Sequence, residues 1–316
     1  KIFRLSFSSS IMNKLKLKAP ATTGNAGPGY DVFAVALDRP YDEVHLELNE
    51  TKKISIEIIG NDQEIPEEPD KNSAGIAAKE LLSKAGLEQG VHIRIIKKMP
   101  SGGGLGTTGT SAAAAVVGLN KLLDLQFSLN ELTDVARMGE IASGGDPHAD
   151  NVAASIFGGF VIVRNYNPLE VLKVEVPEFP VVLAVQKKTY GITRGLISFD
   201  IGEEKIVNQI ANCASMVHAL YQKDSSLFGK ACSVDHIAEP ARAGTIPGYR
   251  EVKKQVLNAG AFGCNISGGG SSIFAICDEK NQDSILEIMK EGFKRNGGFV
   301  DVIKTKFSNL GVQEIK

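Results

Sequence analysis

The sequence lacks three features that would each assign it to a class of protein. It has no excess of basic residues, since 35 Lys and Arg against 37 Asp and Glu leave a net charge of −2, and we therefore expect no nucleic-acid partner. No apolar run approaches the length of a transmembrane helix, so we expect no membrane partner. The four cysteines, at positions 213, 232, 264 and 277, form no C-x-x-C pair. This spacing favours reduced thiols in a cytoplasmic protein over disulfides or a zinc site.

The composition is that of an ordinary globular protein, with 43% hydrophobic and 23% charged residues. A chain of 316 residues is long for a single core and suits two domains. Residues 1–11 contain Lys1, Arg4 and a Ser-rich end, a composition also found in remnants of targeting segments. We expect these residues to form a tail of unknown role, with the folded part beginning at Met12.

Residues 100–112, PSGGGLGTTGTSA, are a glycine loop that leads directly into an alanine-rich helix. Because glycine has no Cβ, several N–H groups of such a loop can converge on one anion, and the positive end of the following helix points to the same place. The pattern predicts a phosphate-binding loop, and a flexible glycine linker is the alternative. No lysine follows the last glycine, so this is not a Walker A loop. The missing charge is most simply supplied by a metal ion bound by Thr107, Thr108 or Ser111 and a distant carboxylate.

A second glycine-rich loop, residues 20–31, places the amide of Asn25 and the carboxylate of Asp31 within seven positions. Such a loop can bind a small polar ligand, and a connection containing an Asx turn is the alternative. Further along, Arg194 and Arg242 can each bind a carboxylate through two parallel hydrogen bonds. Isolated arginines are, however, more often surface residues.

Alternating apolar residues predict strands at 44–48 and 54–58, which we expect to pair with each other. Asp70, Asn72 or Ser73 can cap the helix that precedes the strand at 91–95. Ser128 and Glu131 form a capping box for another helix. From residue 181 onwards, two pairs of strands with helices on one face indicate an α+β sandwich.

A carboxylate and a polar loop follow that capping box. Glu140 borders the inward stripe of the predicted helix, and residues 143–151 then bring Asp146, His148, Asp150 and Asn151 close together. This concentration of polar groups favours a functional loop over a plain turn. A zinc site at His148 has little support, because no second His or Cys lies at ligand spacing.

Three glycine segments, in this order and at these separations, resemble the motifs of the GHMP kinases, a family that includes galactokinases, homoserine kinases and mevalonate kinases. They read PATTGNAGPGYD at 20–31, PSGGGLGTTGTSA at 100–112 and ISGGGSS at 266–272. The likeness runs from about residue 14 to the end of the sequence. Within the family, HADN at 148–151 and EPAR at 239–242 are most similar to the archaeal homoserine kinases.

The resemblance implies an α+β fold with the two-domain GHMP kinase architecture. Residues 12–172 would form an ATP-binding domain like domain 2 of ribosomal protein S5, and residues 173–316 a ferredoxin-like C-terminal domain. The first domain would contain a left-handed βαβ crossover, an exception to the usual handedness rule.

The resemblance also implies which residues bind ATP, Mg²⁺ and the acceptor. ATP would be bound by Pro100, Ser101, Gly102, Gly103, Gly104, Leu105, Gly106, Thr107 and Thr108, with Asn72 and Lys97 at the adenine and ribose. Mg²⁺ would be held by Thr108 and Glu140. The acceptor would be bound by Asn25, Asp31, His148, Arg194 and Arg242, while residues 268–270 brace the phosphate loop.

The implied reaction is transfer of the γ-phosphoryl group of ATP to the hydroxyl of L-homoserine, a step of threonine biosynthesis. Its catalytic residues would be Thr108, Glu140 and Asn151, with Asp150 as the rival to Asn151 and the candidate general base. Two alternatives stay open: a kinase of another small hydroxylated acid, of the shikimate or mevalonate type, and a non-catalytic ligand sensor or RNA-binding module on the same fold. The resemblance leaves a homodimer open as well.

Overall fold

The computed structural model describes residues 13–60, 65–100, 102–143, 146–186, 193–297 and 299–316, and for residue 143 the backbone alone. The predicted tail, residues 1–11, and the predicted phosphate-loop residue Ser101 lie outside the described residues. The described residues form two β-sheets with helices packed against them. None of the helices described is both long enough and apolar enough to cross a membrane.

The strands, numbered along the chain, are β1 (Lys14–Gly24), β2 (Phe33–Asn49), β3 (Ile54–Ile59), β4 (Gly90–Ile96), β5 (Phe160–Tyr166), β6 (Leu169–Val174), β7 (Pro180–Gln186), β8 (Gly263–Ile266), β9 (Ile273–Ile276), β10 (Phe299–Lys306) and β11 (Gln313–Glu314). The α-helices are α1 (Ser73–Lys84), α2 (Thr107–Leu122), α3 (Leu129–Ala136), α4 (Asp150–Phe157), α5 (Glu203–Gln222), α6 (Ser225–Cys232), α7 (Ala238–Arg242), α8 (Tyr249–Asn258) and α9 (Gln282–Asn296). Short 3₁₀ turns occupy Arg137–Ser143, Arg194–Leu196, Ala243–Thr245 and Glu279–Asn281.

The first sheet has the strand order β11-β1-β2-β4-β3, with β5 paired to the start of β2 and β6 beyond it. β1 and β2 are antiparallel, as are β2 and β4, whereas β3 and β4 are parallel and are joined through α1. This parallel pair is the βαβ unit for which the resemblance implies a left-handed crossover. The hand of that crossover stays a prediction.

The predicted pairing of the strands at 44–48 and 54–58 is wrong, because β4 lies between β2 and β3. On β4, Val91, Ile93 and Ile95 are all buried, whereas Ile56 is the buried residue of β3. The strand with the larger apolar face takes the central position. Only there can both of its edges pair while its apolar side chains are buried. β3 is left at the edge of the sheet.

Helices α1 to α4 enclose the core of the first sheet. The predicted capping box of α3 is confirmed: Ser128 Oγ accepts from the backbone N–H of Glu131 at 3.3 Å, and the Glu131 carboxylate accepts from the backbone N–H of Ser128 at 2.9 Å. Residues 112–115 of α2 are four alanines with 0% exposure. Their small side chains let α2 lie close to the sheet, with its first turn at the end of the glycine loop.

The second sheet has the order β10-β7-β9-β8, and every neighbouring pair is antiparallel. In chain order these are the fourth, first, third and second strands, with helices between the first and second and α9 between the third and fourth. This is the β-α-β-β-α-β arrangement of ferredoxin-like folds that the resemblance implies. α8 and α9 pack on one face of the sheet around Tyr249 and Phe293.

A cluster of phenylalanines joins the two sheets into one structure. Phe160 of β5 contacts Phe228 of α6 edge to face, with ring centroids 6.1 Å apart, and Phe228 contacts Phe307, just after β10, at 5.4 Å. Phe33 and Phe179 extend the cluster on either side. Edge-to-face contacts add to the gain from burying these large rings. The shared core therefore fixes the position of one sheet against the other.

The last described residues return to the first sheet. β11 pairs with β1, and Asn309 binds the backbone of Val176 twice: Oδ1 accepts from its N–H at 2.7 Å, and Nδ2 donates to its carbonyl oxygen at 2.9 Å. The predicted division after residue 172 falls within β6. As a statement of domain limits, that division stays a prediction.

A buried ion pair connects β2 to the start of the glycine loop. The side chains of Lys97 and Asp42 are 3% and 0% exposed and are in direct contact. Asp42 Oδ1 also accepts from the backbone N–H groups of Lys98 at 2.7 Å and Met99 at 3.0 Å. Lys97 Nζ donates to the carbonyl oxygen of Thr107 at 3.3 Å. The pair thus holds the end of β4 and the first turn of α2 against β2.

We predict that Asp42→Ala lowers the free energy of unfolding by about 3–5 kcal/mol, because it leaves the Lys97 ammonium buried without a counter-charge. Urea denaturation followed by circular dichroism measures this change. The matched control is Glu88→Gln in the Lys52–Glu88 pair, whose side chains are 68% and 81% exposed and whose loss should cost less than about 1 kcal/mol. Equal effects of the two substitutions would show that the buried pair has no special role.

Candidate active site

Two of the three glycine segments meet between the sheets, backbone against backbone. The N–H of Ser272 donates to the carbonyl oxygen of Gly103 at 2.9 Å, and Ser267 Oγ donates to that of Gly104 at 2.7 Å. Gly104 has a φ of +83°, and a Cβ at this position would lie 2.1 Å from the carbonyl oxygen of Ser267. Only a residue without a side chain permits this approach. The loop predicted to bind phosphate is therefore shaped partly by the second sheet.

The first glycine segment reaches the same place. The N–H of Gly268 donates to the carbonyl oxygen of Gly24 at 2.9 Å, and the N–H of Thr22 donates to that of Leu105 at 3.1 Å. A Cβ on Gly24 would lie 2.3 Å from Nδ2 of Asn151. Three loops that are far apart in the sequence thus form one surface, as the resemblance implies for residues 268–270 and the phosphate loop.

A cavity of about 240 Å³ opens at this surface. Most of the predicted site residues line it, namely Asn25, Asp31, Gly102, Gly104, Gly106, Thr107, Thr108, Glu140, His148, Asp150, Asn151, Arg194 and Arg242. Asp146, Thr193 and residues 268–270 complete the lining. The predicted phosphate loop and the predicted acceptor residues therefore face one shared space.

The first turn of α2 forms one end of this cavity. Gly106 precedes the helix with a φ of +68° and provides no side-chain cap, and Thr107 and Thr108 of the first turn line the cavity. A helix begins with N–H groups that have no partner within the helix and carry a partial positive charge. Together with the glycine backbone, this end of α2 is suited to bind phosphate.

Asp150 and Asn151 lie in the first turn of α4 and project toward the glycine segments. Asn151 Oδ1 accepts from Thr22 Oγ1 at 2.8 Å, and its Nδ2 donates to Asp150 Oδ1 at 3.4 Å. Asp150 Oδ2 accepts from the backbone N–H of Asn25 at 3.3 Å. Burial, and then the nearby Asp31 carboxylate, raise the pKa of Asp150. Both side chains are thus fixed in orientation where the loops converge.

Glu140 lies not on α3, as the sequence pattern suggests, but in the 3₁₀ turn that follows it. Burial, and then the Asp150 carboxylate, raise the pKa of Glu140 to about 8. Its Oε1 lies 2.9 Å from the position that a Cβ of Gly109 would take, so the glycine makes room for the carboxylate beside α2. Among the described residues no group of three His, Cys, Asp or Glu side chains forms a metal cluster.

Asp31 is the centre of a charged group at the other end of the cavity. Its carboxylate accepts from Nη1 and Nη2 of Arg194 at 3.2 and 2.5 Å, and His148 Nδ1 lies 3.8 Å from Oδ1. Its backbone N–H donates to Asn25 Oδ1 at 2.8 Å, and both residues adopt positive φ, at 57° and 50°. The Tyr166 hydroxyl donates to the Asp31 carbonyl oxygen at 3.0 Å.

Arg242 is buried, at 3% exposure, and is fixed by the loop of the third glycine segment. Its Nη1 donates to the carbonyl oxygen of Gly268 at 2.8 Å, and its Nε donates to Thr193 Oγ1 at 3.2 Å. Thr193 Oγ1 in turn donates to the carbonyl oxygen of Gly269 at 3.1 Å. Burial lowers the pKa of Arg242. The guanidinium keeps further donors, which makes it suited to receive an anion.

Asn72 and Lys97, predicted at the adenine and ribose, line a smaller cavity of about 120 Å³ that shares Gly102, Thr107 and Thr108 with the larger one. Their polar groups already have partners within the protein. Asn72 Oδ1 caps α1 by accepting from Ala74 N at 3.0 Å, and its Nδ2 donates to the carbonyl oxygen of Pro66 at 2.7 Å. Lys97 is paired with Asp42. These side chains shape the cavity, and their role toward a nucleotide stays a prediction.

The other predicted loop residues contribute backbone rather than lining side chains. Leu105 is fully buried in the core between the sheets, and Gly103 is held by Ser272. Pro100 lies outside both cavities, and Ser101 lies outside the described residues. The residues at the site that were not predicted include Thr22, which donates to Asn151, Thr193, which accepts from Arg242, and Tyr166, which donates to the Asp31 carbonyl oxygen. Tyr30, whose ring lies beside Arg194 and Arg242, was not predicted either. Each acts on a partner distant in the sequence, so no local spacing could have indicated it.

Comparisons with known proteins find one family in both halves of the chain. The family model described as "GHMP kinases N terminal domain" matches residues 72–159, and that described as "GHMP kinases C terminal" matches residues 216–295. A curated relative named homoserine kinase, from Methanococcus vannielii, is 40% identical over 89% of this chain and 93% of its own length. A second, from Haloarcula marismortui, is 37% identical over 92% of this chain and 97% of its own.

Solved structures are similar over all or most of the chain. A crystal structure described as homoserine kinase, from Cytophaga hutchinsonii, has a TM-score of 0.89 at 37% identity and covers 100% of both chains. A mevalonate kinase from L. major, solved with R-mevalonate, has a TM-score of 0.72 at 15% identity and covers 93% of this chain and 97% of its own. At that identity the second structure shows a common fold and no more.

We predict that Gly104→Ala lowers the free energy of unfolding by about 2–4 kcal/mol, because the new Cβ combines a left-handed φ with a clash against the loop at 267–270. Thermal and urea denaturation measure the loss. Gly244→Ala is the matched control, since a Cβ there meets nothing within 4 Å, and its effect should stay within about 1 kcal/mol. A Gly104→Ala protein as stable as the control would contradict the observed approach of the two loops.

Proposed function

The chain belongs to the GHMP kinase family, and on that basis we propose that it transfers the γ-phosphoryl group of ATP to the hydroxyl of L-homoserine. The curated relatives reported above are named homoserine kinase. The observation that carries the proposal is that one cavity joins a glycine loop at a helix N-terminus to a group of fixed opposite charges, Asp31 with Arg194 and Arg242. The first part suits a phosphate, and the second suits an α-amino acid.

The acceptor end explains how such a site selects an amino acid. A bound zwitterion would place its carboxylate at Arg194 and Arg242 and its ammonium at Asp31. Arg194 would then bind the ligand carboxylate in place of Asp31, and Asp31 would bind the ligand ammonium in place of Arg194. An acid without an ammonium group would draw Arg194 away from Asp31 and leave that carboxylate, among the described residues, with His148, whose Nδ1 is 3.8 Å from Oδ1. Because a charge left without a partner is costly, the geometry disfavours shikimate and mevalonate as acceptors.

Mg²⁺ is part of the proposal, and the residues present fit it. Four carboxylates, those of Asp31, Glu140, Asp146 and Asp150, line a cavity that is proposed to receive a triphosphate, so cationic charge is needed at the phosphate end. Thr108 and Glu140 supply the hydroxyl and carboxylate oxygens that Mg²⁺ binds, with phosphate oxygens completing its ligands. A bound cation would also favour the ionised form of the buried Glu140. When bound, the ion would neutralise charge on the β- and γ-phosphates.

Positioning and charge stabilisation by the protein account for the proposed reaction. The acceptor hydroxyl oxygen forms a bond to the γ-phosphorus, the bond between that phosphorus and the bridging oxygen of ADP breaks, and the hydroxyl proton passes to the transferred phosphate. Asn151, held by Thr22, orients the hydroxyl. Asp150 is not required as a base in this proposal: its two oxygens already accept from Asn25 and Asn151.

A cytoplasmic location and assembly as a homodimer also remain part of the proposal. The four cysteines are free thiols, and three of them are buried; burial raises the pKa of Cys264 to about 12, which keeps this thiol protonated and unreactive. The exposed side of α5 presents apolar residues, with Val207 at 60%, Ile210 at 63% and Tyr221 at 75% exposure. An exposed apolar face of this kind is typical of a contact with another protein surface.

We predict that, in an ADP-release assay with ATP and Mg²⁺, L-homoserine is phosphorylated with a kcat/KM at least about 100-fold above that of 4-hydroxybutyrate, which lacks only the amino group. Shikimate and mevalonate serve as further acceptors, and a reaction without acceptor measures background hydrolysis. Activity on another of these acids without activity on homoserine would overturn the proposed function.

We predict that Asn151→Ala lowers kcat for homoserine by about 100-fold, because the hydroxyl loses its orienting group, while the KM for ATP is unchanged. Asp150→Asn retains a hydrogen-bond acceptor for the Asn25 N–H and is expected to keep kcat within about tenfold of the wild-type value. A loss of about 10²–10⁴-fold with Asp150→Asn alone, the range of general-base catalysis, would instead identify Asp150 as the base.

A further inference from the structure

The ring of Tyr30 contacts both arginines of the acceptor end. The Cζ atoms of Arg194 and Arg242 lie 5.3 and 5.7 Å from the centroid of this ring, within the range in which a guanidinium is attracted to an aromatic face. Tyr30 is 9% exposed. Phe199 packs against it edge on, with the ring centroids 5.8 Å apart and the planes at 69°. One buried ring, itself in contact with Phe199, therefore forms cation–π contacts with two arginines.

The two arginines differ in how well they are otherwise fixed. Arg242 is buried and donates to Gly268 and Thr193. The Arg194 side chain is 35% exposed, and its polar partners among the described residues are Asp31 and, at 3.7 Å, Asp146, whose own side chain is 77% exposed. If Asp31 turns to the ammonium of an acceptor, Arg194 loses its strongest partner. The Tyr30 ring is then the buried contact that keeps Arg194 beside Arg242.

Two guanidinium groups that must receive one carboxylate also repel each other before it arrives. An aromatic ring carries negative charge density on its face and, unlike Asp31, does not compete for the ammonium of the acceptor. The ring can thus hold both cations in place without occupying the donors that the carboxylate needs. A second carboxylate in its position would reduce the attraction for the ligand.

We propose that Tyr30 is a positioning residue, whose ring holds Arg194 and Arg242 together so that both bind the carboxylate of the acceptor. This inference rests on the proposed function, because it assumes a carboxylate-bearing acceptor in this cavity. It adds a residue that touches neither the phosphate loop nor the reacting hydroxyl in the proposed arrangement. Its effect should therefore fall on acceptor binding and leave ATP binding unchanged.

The kinetic test compares Tyr30→Phe, which keeps the ring, with Tyr30→Leu and Tyr30→Met, which remove it and leave an apolar side chain. Losing the ring should raise the KM for homoserine on the order of tenfold, the size expected for a partly desolvated cation–π contact, with the KM for ATP within about twofold of wild type. Tyr30→Phe should restore the wild-type KM. Phe299→Leu is the matched control, because it removes another ring beside a cation, Lys294 Nζ lying 5.7 Å from the ring centroid, at a residue outside both cavities. Thermal melts verify that each variant is folded.

A second measurement does not depend on the acceptor. In ¹H–¹⁵N spectra of the arginine Nε–H groups, the ring current of an aromatic side chain displaces the signals of Arg194 and Arg242. These signals should move in Tyr30→Leu and Tyr30→Met and stay close to their wild-type positions in Tyr30→Phe. Assignment comes from Arg194→Lys and Arg242→Lys.

The outcomes separate this inference from the proposed function. If wild-type protein does not phosphorylate homoserine, the proposed function fails, and the KM comparison is made with the acid that the acceptor panel identifies. If the arginine signals are the same in all Tyr30 variants, the ring contact does not exist and the inference is overturned. It is equally overturned if the signals move but the acceptor KM does not, or if Tyr30→Phe raises that KM as much as Tyr30→Leu, or if the KM for ATP rises in parallel.

Discussion

The site depends on the close backbone approach between Gly104 and the loop at 267–270. Because a Cβ at Gly104 would lie 2.1 Å from the carbonyl oxygen of Ser267, the glycine loop and the loop at 267–270 can approach this closely only while position 104 has no side chain. The phenylalanine cluster around Phe228 holds the two sheets at the distance this contact requires. Packing of the core and the contact between the two loops therefore depend on the same distance between the sheets. The cavity forms where both are achieved together.

The two arginines of the cavity have partners within the protein before any ligand arrives. Arg194 forms an ion pair with Asp31, and Arg242 donates hydrogen bonds to a backbone oxygen and a hydroxyl oxygen. In the smaller cavity, Lys97 is paired with Asp42. Preorganised charges of this kind cost little reorganisation when a ligand of complementary charge binds. The same arrangement explains the proposed selectivity for an amino acid, because a ligand that separates Arg194 from Asp31 must offer each of them a new partner of opposite charge.

The sequence predicts those parts of the structure that depend on residues close together in the chain. The capping box of Ser128 and Glu131 and the glycine loop before α2 both follow from spacing within a few positions. The partner of Lys97 is 55 positions away. No pattern around Lys97 indicates that its ammonium group is paired with a carboxylate inside the protein. The central position of β4 likewise depends on comparing the buried faces of whole strands. The pairing of distant residues and the order of strands in a sheet are determined by packing, and a local sequence pattern does not predict them.

The return of the chain to its first sheet has a consequence for synthesis on the ribosome. β1 gains its β11 neighbour, and Val176 gains both bonds from Asn309, only after residues 309–314 have been made. Until then a nascent chain that already contains β1 to β6 presents one side of β1 as an open edge, to which another strand can add. Closure of this edge therefore waits for residues 309–314, and until they are made the growing chain most needs protection from its neighbours.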